Sequence, residues 1–272
     1  MQHTSAVGAG KLRRMRRMFG ADGRGVFVAI DHAAYMGEGP PLGEPMYEIA
    51  AGRPDAVLAT WHVARAYAGP LAGSGLVLRV DGGSSELGDR AAGDTNALLH
   101  RPEEALTIGA DCVVVLAFPG APDEDRSLTR LARLCSECEL LGLPVMAEMI
   151  PGGWGQAVPW TAENVARAAR IGAELGADIV KTVCPGPPEE FAEVVRACPV
   201  PVVALGGPKM ATEDDVVALA RGVVDAGGAG VAFGRNVWGS EKPRQLVERL
   251  REAVHGAADA DRPSSTSPGA GR

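Results

Sequence analysis

Eight short apolar runs constrain this chain more than any other feature. They are GVFVAID (25–31), DAVLAT (55–60), GLVLRVD (75–81), DCVVVLAF (111–118), LPVMAEM (143–149), ADIVKT (177–182), PVVALGG (201–207) and AGVAFG (229–234). Several carry no polar residue for four or five positions, as strands buried on both faces of a parallel sheet do. Most of the gaps hold segments of helical periodicity: PEEALTIG, RSLTRLARLCSECELLG, TAENVARAARIGAELG, PEEFAEVVRAC, TEDDVVALARGVVDAGG and PRQLVERLREAVHG. The second of these is expected to start at Asp125 or Ser127. Thr161 and Thr212 stand where N-caps belong, and Gly142, Gly176 and Gly227 where helices should stop. Eight strands with helices between the later ones predict an α/β fold, a single-domain (β/α)₈ TIM barrel. A doubly wound sheet is the main rival. It usually has fewer parallel strands or a reversed strand order, and no Gly-x-Gly-x-x-Gly follows the first run here.

The barrel is expected over 21–256, preceded by a basic helical segment (1–20) and followed by a small, polar, Pro/Gly-rich tail (257–272) expected to be disordered. The Arg/Lys cluster of the first segment could also belong to a transit peptide or a nucleic-acid arm; an amphipathic helix lying on the domain is the favoured reading. Aromatic residues are 4% of the chain, so the core must be built of Val, Leu, Ile and Ala. A net charge of −7 without a block of like charges speaks against a nucleic-acid partner. No run of about 18 apolar residues is present, so no membrane partner is expected. The N-terminus lacks the apolar stretch of a signal peptide. Five scattered cysteines suit reduced thiols and a cytoplasmic location.

In a (β/α)₈ barrel the chemistry sits at the C-terminal ends of the strands, so the polar residues that close each apolar run carry the interest. Lys181 closes the sixth. A free lysine amine, with a pKa of about 10.4, is protonated at neutral pH. Desolvation and nearby cations can make such an amine a nucleophile able to form a Schiff base. The competing reading is a lysine that snorkels out at a strand end, and position does not decide between them. The last two strand ends favour the first reading. Gly206, Gly207 and Lys209 follow the seventh run, and Gly234 and Arg235 follow the eighth, where such barrels often hold a phosphate. The alternative is a pair of Gly-rich turns with surface cations. A Schiff base needs an acid/base nearby. Asp31 and His32 are the first candidates, against plain roles as a cap and a satisfied polar residue; Asp81, Glu148 and His62 are secondary. Thr182 could hydrogen-bond beside the lysine, and Tyr35 could reach inward from its loop. Cys135 and Cys138 form a CxxC inside a helical pattern, which favours packing over metal or redox chemistry. GGSSELG after the third run resembles a phosphate loop only loosely. No metal site and no cofactor are expected.

The stretches GKLRRMRRMF, VFVAIDHAAYMGEGPPLGEP, GAELGADIVKT, CPVPVVALGGPK and GAGVAFGRNVW occur in the order seen in the DeoC/LacD-type class I aldolases. The chain resembles their archaeal-type fructose-bisphosphate aldolase and aminodideoxyheptulosonate synthase branch, from about Gly10 to His255. The resemblance implies a (β/α)₈ barrel and a metal-independent aldehyde-lyase or aldol-type synthase. It places the imine-forming lysine on Lys181, the acid/base aspartate on Asp31 with His32 beside it, and the phosphate loops on Gly206–Lys209 and Gly234–Asn236. It implies a phosphorylated keto substrate, with a dihydroxyacetone-phosphate-type donor and a sugar- or amino-acid-derived aldehyde, and a homo-oligomer; the Ala/Gly/Arg-rich composition suggests a high-GC genome, where such a gene could serve secondary metabolism. Two positions depart from the pattern. Ile150 stands where the family commonly has a proton-donating tyrosine, and Ala33 stands for a glycine. Thiolase- or transaldolase-like transfer, or a silent sugar-phosphate-binding barrel, are the other readings.

Overall fold

In the computed structural model, residues 8–34, 39–40, 42–82 and 96–256 are described. The expected tail, Tyr35 and all of GGSSELG but its first glycine lie outside them. Eight parallel strands close into a barrel: β1 (Gly25–Ala29), β2 (Ala56–Ala59), β3 (Gly75–Arg79), β4 (Cys112–Ala117), β5 (Val145–Met149), β6 (Ile179–Thr182), β7 (Val202–Leu205) and β8 (Gly230–Phe233). Each pairs with its neighbours in chain order, and β8 pairs back onto β1 through Gly25 opposite Gly230.

Side chains alternate across each strand. One set (Val26, Val28, Val57, Leu78, Val113, Val115, Val145, Ala147, Val180) faces the surrounding helices. The other set (Phe27, Ala29, Leu58, Val77, Val114, Met146, Ile179, Val203, Ala232) fills the barrel interior. The long helices are amphipathic and lie over the outer set: α5 (Glu124–Leu141), α6 (Ala162–Glu174), α7 (Pro188–Ala197), α8 (Glu213–Asp225) and α10 (Pro243–His255). Thr161 and Thr212 cap α6 and α8 as expected, each accepting a hydrogen bond from the backbone N–H three residues on. Gly142 ends α5 in the left-handed conformation, φ 60°. The expected start of α5 was late: the helix begins at Glu124, after Asp123. The short helices at Glu44–Ala51 and Trp61–Ala66 carried too few turns for their periodicity to register. Asp81 lies just beyond β3, in a two-stranded antiparallel ribbon (Asp81–Gly82 with Ala97–Leu98).

The basic N-terminal segment forms α1 (Ala9–Met18), which lies against the N-terminal end of the barrel. Its Met18 reaches the interior layer beside Phe27. Its cations are used locally: Lys11 pairs with Asp178 at 3.0 Å and Glu139 at 2.5 Å, and Arg17 with Asp111 at 2.7 Å. This helix closes the barrel floor, in keeping with the amphipathic reading. Cys135 and Cys138 are buried in the core on α5, and burial pushes both thiols up to about 12. Among the described residues no helix is long and apolar enough to cross a membrane.

Candidate active site

The strand alternation that builds the interior layer also builds the site. Continuing Ala29, Val77, Met146 and Ile179 by two residues gives Asp31, Arg79, Glu148 and Lys181. These four lie at the C-terminal ends of β1, β3, β5 and β6, one layer above the apolar filling. All are buried; Asp31 is 0% exposed and Lys181 3%. Unpaired charges at such depth would cost several kcal/mol each, and the cluster meets that cost by pairing.

Lys181 Nζ lies 2.7 Å from Glu148 Oε1, its partner across the β5–β6 ladder. Glu148 Oε2 accepts from Arg79 Nη2. Arg79 also donates through Nε to Asp31 Oδ2 at 2.9 Å and through Nη1 to Asp81 Oδ1 at 3.1 Å. The other Asp81 oxygen accepts from the Leu116 N–H at 2.9 Å. One guanidinium therefore fixes three carboxylates, a task suited to its planar fork of donors. Asp31 Oδ1 has no hydrogen-bond partner among the described residues; His32 Nδ1 is 3.6 Å away.

Burial would raise the Asp31 carboxyl, but the positive charges of Arg79, Lys181 and His32 outweigh it and hold it down at about 2. Glu148 follows the same logic: burial is overcome by Lys181 and Arg79, and the group stays below its ordinary value. For Asp81, burial wins over Arg79 and the Leu116 N–H, and the carboxyl is raised. His32 is lowered, first by burial, with Lys181 and Arg235 adding to it against Asp31 and Glu148. The site thus offers an anionic acceptor, Asp31, next to an imidazole biased toward neutrality.

The expected phosphate loops meet each other. Asn236 Nδ2 donates to the carbonyls of Gly206 and Pro208 at 3.1 and 3.2 Å, and its Oδ1 accepts from the Met210 N–H at 2.8 Å. Arg235 donates to the Gly207 carbonyl at 3.2 Å, and Lys209 to the Gly239 carbonyl at 3.0 Å. Arg235 Nε and Trp238 Nε1 are buried without a hydrogen-bond partner among the described residues. Gly207 has φ 62°, where a side chain would be strained. Gly234 lies directly under His32: a Cβ there would come 2.3 Å from the imidazole Cε1. The β8 loop and the Asp31–His32 pair are thereby in direct contact.

Lys181, Asp31, His32, Glu148 and Asp81 come together as one site. His62 does not join them; it is exposed on the short helix after β2. Thr182 donates to the Met149 carbonyl at 2.7 Å and ties β6 to β5. Ile150 is fully buried and belongs to the apolar core, so position 150 supplies no proton. The residue missed by sequence reasoning is Arg79. Its signal was present in GLVLRVD, where a lone arginine shares the parity of Val77 and Asp81. Among the described residues no group of three or more His, Cys, Asp or Glu side chains is placed to hold a metal ion.

A closed eight-stranded barrel holds a buried lysine at its C-terminal mouth, paired to one carboxylate and near another, an arrangement suited to carbonyl chemistry at an amine. The family model that matches residues 26–240 is that of the DeoC/LacD family aldolases. The chain is 34% identical over 251 residues to the class 1 fructose-bisphosphate aldolase of Thermoproteus tenax, covering 88% of this chain and 93% of that one. It is 36% identical over 186 residues to the 2-amino-4,5-dihydroxy-6-oxo-7-(phosphonooxy)heptanoate synthase of Streptomyces griseus, covering 66% and 67% of the two chains. An archaeal fructose-1,6-bisphosphate aldolase, solved with its catalytic lysine covalently bound to the carbinolamine intermediate, superposes with a TM-score of 0.79. That match has 29% identity and covers 90% of this chain and 99% of the other. The chain belongs to the DeoC/LacD aldolase family, and its activity is that of a class I, Schiff-base aldolase.

Proposed function

We propose that Lys181 is the imine-forming nucleophile of this aldolase, and that it makes or breaks a C–C bond in a phosphorylated keto compound. The observation that carries this is the placement of Lys181: buried, at the barrel mouth, and hydrogen-bonded to Glu148. Its amine adds to the ketone carbon, water leaves, and the protonated imine draws electrons from the adjacent carbon. Loss of a proton there, or cleavage of the next C–C bond, gives an enamine, which adds to an aldehyde in the synthetic direction. Asp31 is the base for this step, since Oδ1 is free to accept and the group stays anionic; His32 stands beside it. Arg235 and Lys209 exchange their backbone carbonyl partners for phosphate oxygens, a charge-assisted and stronger contact. Trp238 Nε1 is a further open donor at that end.

A dihydroxyacetone-phosphate-type donor, with a sugar- or amino-acid-derived aldehyde, fits both the site and the substrates named for the relatives. The five free cysteines fit a reducing, cytoplasmic setting, and the enzyme is taken to act as a homo-oligomer, which light scattering would check. The test is borohydride reduction in the presence of dihydroxyacetone phosphate, with the adduct mapped by mass spectrometry. An adduct on Lys181 is expected, lost in Lys181→Ala. Trapping that persists in the variant would sink the assignment.

A further inference from the structure

We propose that the floor of the barrel carries a second ligand site, for a small organic dianion with an apolar body, separate from the catalytic mouth. The inference does not depend on the role of Lys181. A cavity of about 860 Å³ opens beside the N-terminal ends of β1 to β4, at the opposite end of the barrel from Lys181. That volume lies within the range of small-molecule sites. None of the charged residues of the mouth lines it. The cavity exists because the helix layer is thin there. The β2–β3 connection holds only the six-residue helix Trp61–Ala66 and the 3₁₀ turn Pro70–Gly73. Elements that short leave part of the outer face of β2 and β3 uncovered, and Val57, Leu71, Leu76 and Ile108 form an apolar wall.

The rim is charged and out of balance. Arg16, Arg17, Arg53, Arg251 and His255 line it against Asp22, Asp55 and Asp111, five basic groups to three carboxylates. Part of this set is structural. Asp55 Oδ1 accepts from Arg251 at 2.5 Å, and its Oδ2 accepts from the Val26 N–H at 2.7 Å. His255 lies between Asp55 and Asp22, at 2.8 and 2.9 Å. These contacts pin the end of α10 to the start of β1. Asp111 accepts from Arg17 at 2.7 Å and from the Leu76 N–H at 3.2 Å. The rest of the positive charge is not consumed. The side chains of Arg16 and Arg53 make no hydrogen bond or ion pair among the described residues. Arg17 gives Asp111 its Nη1 and is otherwise 56% exposed. Arg53 stands in a left-handed backbone conformation, φ 56°, where glycine is usual and would bring no charge. Two uncommitted guanidinium groups and the open donors of a third thus converge on one apolar wall. Their planar forks suit a phosphate monoester or paired carboxylates. The wall asks for an apolar body attached to that charge, since a bare inorganic anion would leave it wet.

The experiment is isothermal titration calorimetry of the whole chain with phenyl phosphate at pH 7.5, where a phosphate monoester is largely dianionic. Phenyl phosphate has no carbonyl and cannot react with a lysine. Wild type is compared with Arg16→Ala/Arg53→Ala and with Ala68→Trp, which puts an indole into the cavity from an exposed lining position. A third variant, Lys209→Ala/Arg235→Ala, removes the cations of the mouth loops. Circular dichroism and urea midpoints are the folding controls. Saturable binding is expected in the wild type and should survive in the mouth variant. It should weaken by about 10-fold or more without the two floor arginines, and be lost in Ala68→Trp. Inorganic phosphate should bind the wild type at least about 10-fold more weakly, for want of an apolar body. The inference is overturned if the wild type shows no saturable binding, or if either folded floor variant binds as the wild type does. It is also overturned if binding vanishes in the mouth variant, which would assign it to the loops after β7 and β8. Equal affinity for phenyl phosphate and inorganic phosphate would leave an adventitious ion only. Should the arginine variant not fold, Ala68→Trp decides alone.

Discussion

Replacing Arg79 with leucine removes the one cation that binds three buried carboxylates. In the wild-type protein Asp31 is displaced from 3.8 to about 2. That displacement is worth about 2 kcal/mol of stability, fully present above the unfolded value and lost as the pH falls through the folded one. Without Arg79, burial dominates at Asp31 and Glu148 faces Lys181 with no second cation. Breaking a buried ionic set from one side costs about 3–5 kcal/mol, a large share of the ~5–15 kcal/mol typical of a folded domain. The contribution of Asp31 to the pH dependence should also reverse in sign. Folded Arg79→Leu should bind more protons than its unfolded chain, so its stability should rise as the pH is lowered from 7.5 to 5. In the wild type, Asp31 and Glu148 are held below their ordinary values and give no such gain over that range. Urea unfolding followed by circular dichroism at the two pH values measures both quantities. A loss below about 1 kcal/mol, or a variant whose midpoint tracks the wild type at both pH values, would refute the view that Arg79 holds the cluster together.

Three further outcomes are expected. His255 is enclosed between Asp22 and Asp55, at 2.9 and 2.8 Å, and burial is outweighed by those hydrogen bonds, so its pKa is raised. Its contribution is fully present below pH ~6.5 and lost as the pH rises through the folded value; wild-type urea midpoints should fall from pH 6.5 to 8.5, and those of His255→Gln should not. Gly234→Ala puts a Cβ 2.3 Å from His32 and 2.8 Å from the Ala29 carbonyl; kcat should fall by about 10-fold or more, with the far-ultraviolet spectrum unchanged. Asn236→Ala removes three hydrogen bonds between the β7 and β8 loops. It should cost about 1.5–3 kcal/mol in urea unfolding and raise KM for the phosphorylated substrate more than it lowers kcat.

The barrel was legible because its strands are short, apolar on both faces and punctuated by caps, and each of the eight runs contains a barrel strand. The positions of Lys181 and Asp31 at the barrel mouth were legible because each closes such a run. The connection among the charged residues was not. Arg79 reads as an ordinary interruption of GLVLRVD until closure of the sheet brings β1, β3 and β5 around one interior. That meeting depends on contacts 48 and 69 residues apart in the chain, which no local pattern encodes. The anchoring role of Asn236 was similarly hidden, since it rests on carbonyls from a different loop.

The floor of the barrel also has a consequence for its mouth. Asp178, at the foot of β6, receives the Val145 N–H at 2.9 Å and holds Lys11 of α1 at 3.0 Å. Three residues further on, the same strand presents Lys181. A slip of β6 by a single position would turn the lysine outward into the helix layer and bring Val180 or Thr182 inward in its place. Asp178 and Lys11 act as a stop against that slip. The N-terminal helix, at the opposite end of the barrel, therefore helps fix which face of the sheet carries the amine, and loosening it would misplace Lys181 with every residue of the site still present in the chain.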